Sequence, residues 1–264
     1  AFRPRTTTAP EPGSDESPAL VRVVQSTSLR HLRGSVKRRS ALRFVIEGLE
    51  GAIVLAGVLG SWPISRHWLR NWGSRPDERN ARWPGDRFVS ANHEAYTRGI
   101  DVFAPADLVW QWIVQFGLGR AGFYSYELLE RVVGIPVTNV ESIEPRMQSL
   151  AVGEEIRLHP KAPGIPVAAL QSGRYICFGF RDATVSPDTW PDPMRSWSMY
   201  IEPDTADSCR FVLRACIEPL REPSVLKRLG AKLEEPVDFV MEQRMLRTVK
   251  RLAEASRSRR IVTT

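Results

Sequence analysis

The stretch APADLVWQWIVQFGLGRAGFYSYELLE, residues 104–130, decides how the chain folds. Within it Gly117, Gly119 and Gly122 spell G-x-G-x-x-G. That spacing lets backbone amides approach a pyrophosphate at a helix N-terminus, and Glu141 lies roughly twenty residues on, where a ribose-binding carboxylate would sit. A dinucleotide fold also needs a buried strand directly before the first glycine. Here Val109, Trp112, Ile113 and Phe116 fall at i, i+3, i+4 and i+7, one face of a helix. Pro105 suits the first turn of such a helix, where its missing amide proton costs nothing. Bulky Phe123 and Tyr124 stand where a cofactor helix would pack closely on its strands, and no second strand–helix–strand unit follows. The glycines therefore read as a corner between two short helices.

Outward from that corner the pattern changes. Residues 94–104 (EAYTRGIDVFA) alternate as a strand, and "FYSYELLERVV" after the glycines reads as a second short helix ended by Gly134 and Pro136. From 137 to 218 the signals are strands and turns: VTNVESIE, EEIRLHP, GRYICFGF, RSWSMYIE and CRFVLRACIE, separated by Pro, Gly, Asp and Ser clusters. In the last, Phe211, Leu213, Ala215 and Ile217 share one face, and Arg210, Val212 and Arg214 share a partly wet one. After Pro236 comes an amphipathic helix whose stripe is Val237, Val240, Met241, Met245, Thr248, Val249 and Leu252, with Glu242 and the neighbouring cations mostly off it. This order predicts an α+β fold: a curved antiparallel sheet wrapped around a long C-terminal helix, with two short helices after the first strand.

The charge is uneven. Residues 1–100 carry sixteen Lys/Arg against nine Asp/Glu, and the remaining residues carry twenty-one of each. The excess belongs to an N-terminal arm, residues 1–43, with nine basic and three acidic side chains. A balanced body argues against a nucleic-acid partner, which needs clustered cations. Residues 1–29 read as a disordered tail. Residues 44–72 read as an apolar helix and a candidate membrane anchor, whose uncharged run of fifteen residues is shorter than the twenty or so of a spanning helix. Trp62, Trp68 and Trp72 resemble membrane-interface flanks. A turn-rich linker, 73–93, leads to the folded domain, 94–256, and a tail, 257–264. Cys177, Cys209 and Cys216 form no metal or C-x-x-C pattern and the four histidines are scattered, so no metal site and no cofactor is expected.

Together these motifs resemble the SRPBCC superfamily, relatives of START, birch-pollen-allergen and polyketide-cyclase domains. The resemblance rests on Ala104-Pro105-Ala106, the V-W-x-W-I-V-Q segment at 109–115, the G-x-G-R-x-G-F-Y-S-Y corner at 117–126, Leu128 to Glu130, the Trp72-Gly73…Pro84-Gly85-Asp86 linker, the VGEEIRL strand and the closing FVMEQRMLRTVKRLAEA helix. It covers about residues 72–255, with Glu154 standing where Asp is expected. It implies a helix-grip fold with an apolar cavity between sheet and C-terminal helix, suited to a lipid, polyketide or similar hydrophobic small molecule.

The walls of that cavity would be Phe178, Trp197, Met199, Phe211, Leu213, Val240, Met241 and Met245, residues that serve equally well as plain core. Tyr124, Tyr126 and Glu130 are polar groups placed near the mouth, although Tyr126 and Glu130, four apart on a helix, can satisfy each other. Arg120 is either an anion contact or a capping charge. An alternative reading is an enzyme of cyclase, dehydratase or hydrolase type, with Glu130 or His159 moving protons and Tyr124 or Tyr126 as electrophile. Against it, no nucleophilic triad or paired-carboxylate motif stands out. A further partner, anionic membrane lipid, would engage residues 1–64.

Overall fold

The computed structural model describes residues 41–179, 194–221 and 224–263. The expectations for residues 1–40, for Phe180 at the end of one predicted strand and for Thr264 lie outside the described residues.

The chain begins with a long helix, α1 (Ala41–Arg70), followed by a single turn, α2 (Pro76–Asn80), and a 3-10 turn, Pro84–Phe88. Strand β1 (Glu94–Val102) leads to α3 (Ala106–Ile113) and α4 (Glu127–Val132). Then come β2 (Glu155–Ile156), β3 (Ile165–Gln171), β4 (Tyr175–Gly179), β5 (Arg195–Thr205), β6 (Ser208–Ile217) and the helix α5 (Val225–Thr263). The strands form one curved antiparallel sheet in the order β1-β6-β5-β4-β3-β2. The first strand therefore closes against the last, in register from Glu94 opposite Ile217 to Val102 opposite Cys209. This is the α+β helix-grip architecture expected from the sequence.

Period-two alternation decides what each sheet face meets. Met199, Ile201, Phe211 and Leu213 are fully buried on the inner face with Trp112 of α3 and Leu246 and Val249 of α5. Side chains of that size contribute about 1.5–3 kcal/mol each on burial. The outer face is closed too, contrary to the partly wet surface expected on β6. Arg210 is held by Glu78 of α2 at 2.6 Å, and Arg214 by Asp86 of the 3-10 turn at 2.7 Å. The turn-rich 73–93 segment thus lies over Ala169, Cys177, Tyr200 and Val212, with Trp83 and Phe88 packed on them.

Three other differences have local causes. Residues 137–144 form no strand; they run irregularly beneath the corner, where Asn139 is engaged by residues 123–125. Strand β3 is absent from the strands expected from the sequence, since Pro163, Gly164 and Pro166 cluster at its start, yet Pro166 pairs only with Glu155 of the two-residue β2. Helix α5 starts eleven residues before Pro236 and runs through it.

Helix α1 packs Val58 and Leu69 against Phe239, Val240 and Tyr126, with Val54, Leu55 and Trp62 beside them. Its approach to α4 is close: a Cβ on Gly48 would meet Leu128 at 2.1 Å. The opposite face exposes Leu42, Val45, Ile46, Leu49, Ile53 and Ile64. Among the described residues no helix is long and apolar enough to cross a membrane.

Candidate functional site: an apolar cavity with an acidic end

The corner positions the site. Gly117 and Gly122 bond to each other in both directions, at 3.0 and 3.1 Å, and Gly122 adopts φ +88°. Tyr124 has φ +57°, strained for a side-chain-bearing residue. Asn139 holds that conformation: its Oδ1 accepts from the amides of Phe123 (2.9 Å) and Tyr124 (2.7 Å), and its Nδ2 donates to the Ser125 carbonyl. Glu127 in turn accepts the Asn139 amide at 2.8 Å. Arg120 serves as the capping charge, donating to the carbonyls of Val114 at the end of α3, Met147 and Ser149.

This arrangement leaves a cavity of about 690 Å³ between the sheet, α4, α5 and Leu55 of α1. Phe116 and Phe178 each stand 5.4 Å from Trp197, and Phe116 lies 5.3 Å from Phe123. Met241 and Met245 supply adaptable walls on α5. Val132, Val133 and Val237, which also line the cavity, are 75, 63 and 41 % exposed, so its edge is apolar and reaches solvent.

The polar groups gather on α5 and β1. Glu242 is buried and accepts from Tyr96 Oη (3.0 Å), Trp197 Nε1 (2.8 Å) and the fully buried Arg98 guanidinium. Arg98 Nε also donates to the Leu69 carbonyl, and its guanidinium lies 4.3 Å from the Tyr96 ring. Burial, then the neighbouring Glu242 and Asp238 charges, push the Tyr96 hydroxyl well up. Asp238, one turn before Glu242, borders both the large cavity and a smaller polar recess of about 230 Å³. Burial and the Glu242 charge push its carboxyl up to about 7, against the pull of Arg98 and Arg195. Asp238 is half-buried and lines both recesses. On α4, Glu130 accepts from Ser125 Oγ at 2.8 Å, and burial raises its pKa.

Of the residues singled out from the sequence, Glu130, Phe178, Trp197, Val240, Met241 and Met245 line the cavity. Tyr124, Tyr126, Met199, Phe211 and Leu213 are not among its lining residues. Tyr124 points its hydroxyl at the Trp112 carbonyl and Gln115, locking α3 to the corner. Tyr126 donates to Glu50 and lies under Arg244, so it fastens α1, and Glu130 takes Ser125 as partner instead. Met199, Phe211 and Leu213 are fully buried in the core cluster with Trp112 of α3 and Leu246 and Val249 of α5. His159 sits in an exposed turn, accepting the Lys161 amide. The sequence reading missed Tyr96, Arg98, Asp238 and Glu242. One signal was available: Tyr96, Arg98, Ile100 and Val102 share a strand face, and an arginine on an inward face needs a buried acid.

No family model matches the sequence, and none of the curated proteins compared with it is similar. Solved structures that align with it include protein NE0264 from Nitrosomonas europaea, 11% identical over 64% of this chain and 99% of that one, with a TM-score of 0.35. XoxI from Bacillus cereus is 13% identical over 61% of this chain and 95% of that one (TM-score 0.35). Ara h 8.0201 is 8% identical over 62% of this chain and 99% of that one (TM-score 0.33). At these scores the fold rests on the strand order and helix placement described above.

Proposed function

We propose that the chain is a member of the SRPBCC superfamily and that its cavity binds a hydrophobic small molecule such as a lipid or polyketide. The observation that carries this is the cavity itself: about 690 Å³, walled by aromatic and methionine side chains, with an apolar edge and a few convergent polar groups. A plain structural core would be filled to crystal-like density at this place, whereas Met199 and Phe211 on the same sheet are fully buried outside the cavity. Native mass spectrometry of the full chain, followed by organic extraction, tests the reading. A retained apolar molecule that disappears in Ala215→Trp, which places an indole beside Trp197, is the expected result. An unliganded chain that also takes up none of a panel of added lipids and polyketides contradicts it.

Catalysis on such a ligand is a second reading, favoured by Asp238 at the cavity wall, whose carboxyl is pushed up to about 7, since an acid that keeps its proton near neutrality can deliver it. Loss of turnover in Asp238→Asn with ligand uptake retained would support it.

We also propose that the outer face of α1 rests on an anionic lipid surface. An uncharged stripe of Leu42, Val45, Ile46, Leu49, Ile53 and Ile64 follows directly on an arm with nine Lys/Arg and three acidic residues. Co-sedimentation with phosphatidylglycerol vesicles, weakened by salt and by Ile53→Asp, is expected. Binding that ignores vesicle charge, or a dimer dispersed by Ile53→Asp without any vesicle binding, overturns this proposal.

A further inference from the structure

The charges at the cavity wall do not balance. Its lining includes three carboxyls, Glu130, Asp238 and Glu242, and one guanidinium, Arg195. Two of these four are already compensated: Glu242 by Arg98, and Arg195 by Glu234 at 2.5 Å. Glu130 has only the Ser125 hydroxyl, and Asp238 has no hydrogen-bond or ion-pair partner among the described residues. Two carboxyls that form no ion pair among the described residues therefore face one apolar space, on α4 and on α5, and the guanidiniums nearest Asp238, Arg98 and Arg195, are each paired with another carboxylate. Such a group must bind a proton or a positively charged partner, because an isolated carboxylate in a low-dielectric site is strongly disfavoured.

We infer that the ligand of this cavity is an amphiphile bearing a basic nitrogen, whose ammonium group sits at Asp238 while its apolar body lies along Trp197, Phe178 and Met245. This rests on the hydrophobic-ligand reading above and narrows it. A fatty acid would place its carboxylate beside two uncompensated carboxyls, with Arg195 already engaged. An amine supplies the missing charge and N–H donors together.

The charged groups around Asp238 set its pH response. On its own helix these are Glu234 and Glu242; from β1, Tyr96 and Arg98; from β5, Arg195. Across the smaller recess, Arg66 and Arg70 of α1 are engaged by Glu94 and Glu235, Glu218 lines the wall, and Lys232 is exposed. With the Asp238 carboxyl titrating at about 7, ammonium affinity rises as pH climbs through neutrality.

Calorimetric titration of the full chain with decylamine, 1-decanol and decanoate tests this, since the three share one tail. We expect decylamine to bind at least about tenfold more tightly than decanoate at about pH 8, the equivalent of one good charge contact. That ratio should shrink at about pH 6, where a carboxyl of pKa near neutrality holds its proton. Asp238→Asn, an isosteric change, should narrow the ratio to under about threefold, and Glu130→Gln should narrow it less. Equal binding of all three, or tighter decanoate, overturns the inference and leaves the hydrophobic-ligand reading standing. Failure of all three to bind overturns both.

Discussion

At Gly122 the backbone conformation and the surroundings demand the same thing. Its φ of +88° disfavours any side chain, and a Cβ there would meet Asn139 Oδ1 at 2.6 Å and the Thr138 carbonyl at 2.8 Å. Gly119, at φ +79°, has open space around it. Gly119→Ala should therefore cost only the left-handed backbone penalty, about 1–2 kcal/mol. Gly122→Ala should cost roughly 3–5 kcal/mol, because the Asn139 bonds that hold Tyr124 are also displaced. Urea denaturation of the two variants measures the contrast, and equal losses would contradict it. The glycines were legible as a corner from the sequence. Asn139 was not, because its partners are backbone amides 15 and 16 residues away and backbone groups leave no mark in composition.

Glu242, paired with the buried Arg98, and the raised Asp238 carboxyl lie one helical turn apart on α5 and respond in opposite ways to losing a charge. Glu242→Leu strands a fully buried guanidinium and should cost about 3–5 kcal/mol, whereas adding Arg98→Met should recover part of that loss. A double-mutant cycle by chemical denaturation checks the sign. Asp238 behaves oppositely to a salt-bridged acid. Its folded pKa lies above its unfolded one, so its contribution to stability is complete below the unfolded pKa and is lost as pH rises through about 7. Glu130 is shifted in the same direction. Asp238→Asn should therefore raise Tm relative to the parent at about pH 8 and not at about pH 4, near the unfolded pKa of Asp. A uniform offset at both pH values would contradict this.

Among the elements, α1 and β3 show where local pattern stops being informative. Residues 41–70 are apolar on two faces, so the sequence could not show which face meets protein. The choice is made by Gly48 and Gly51, which let α1 lie against Leu128, Leu129 and Tyr126. Gly48→Leu should lever α1 off α4, seen as faster proteolysis within 41–70 and a lower Tm, while Gly57→Leu, on the open face, should change neither. Strand β3 was hidden by prolines that punctuate turns in most contexts; at Pro166 only a two-residue edge strand lies opposite. Pro236 misled in the same way, as its place inside α5 is tolerated where tertiary packing carries the helix.

In the whole molecule, sheet, helices and linker share the work unequally. The outer face is sealed by residues 73–93 through Arg210–Glu78 and Arg214–Asp86, and the far inner face is filled by α3. The space that remains lies between Trp197, Met245 and the α4 end. The layer order was readable from strand and helix periodicity, because alternation reports burial directly. Where the core stops being filled was not, because Trp197 and Met199 alternate onto the same strand face in sequence, and only the fold shows that Trp197 lines the cavity while Met199 is fully buried in the core. The most direct test is a fluorescence titration of the neutral dye Nile red into the full chain and into Ala215→Trp, with cooperative unfolding confirmed for both. An open apolar cavity gives saturable binding of one dye per chain in the parent and at least about tenfold weaker binding in the filled variant. Binding unchanged by filling, or absent from the parent, would contradict it.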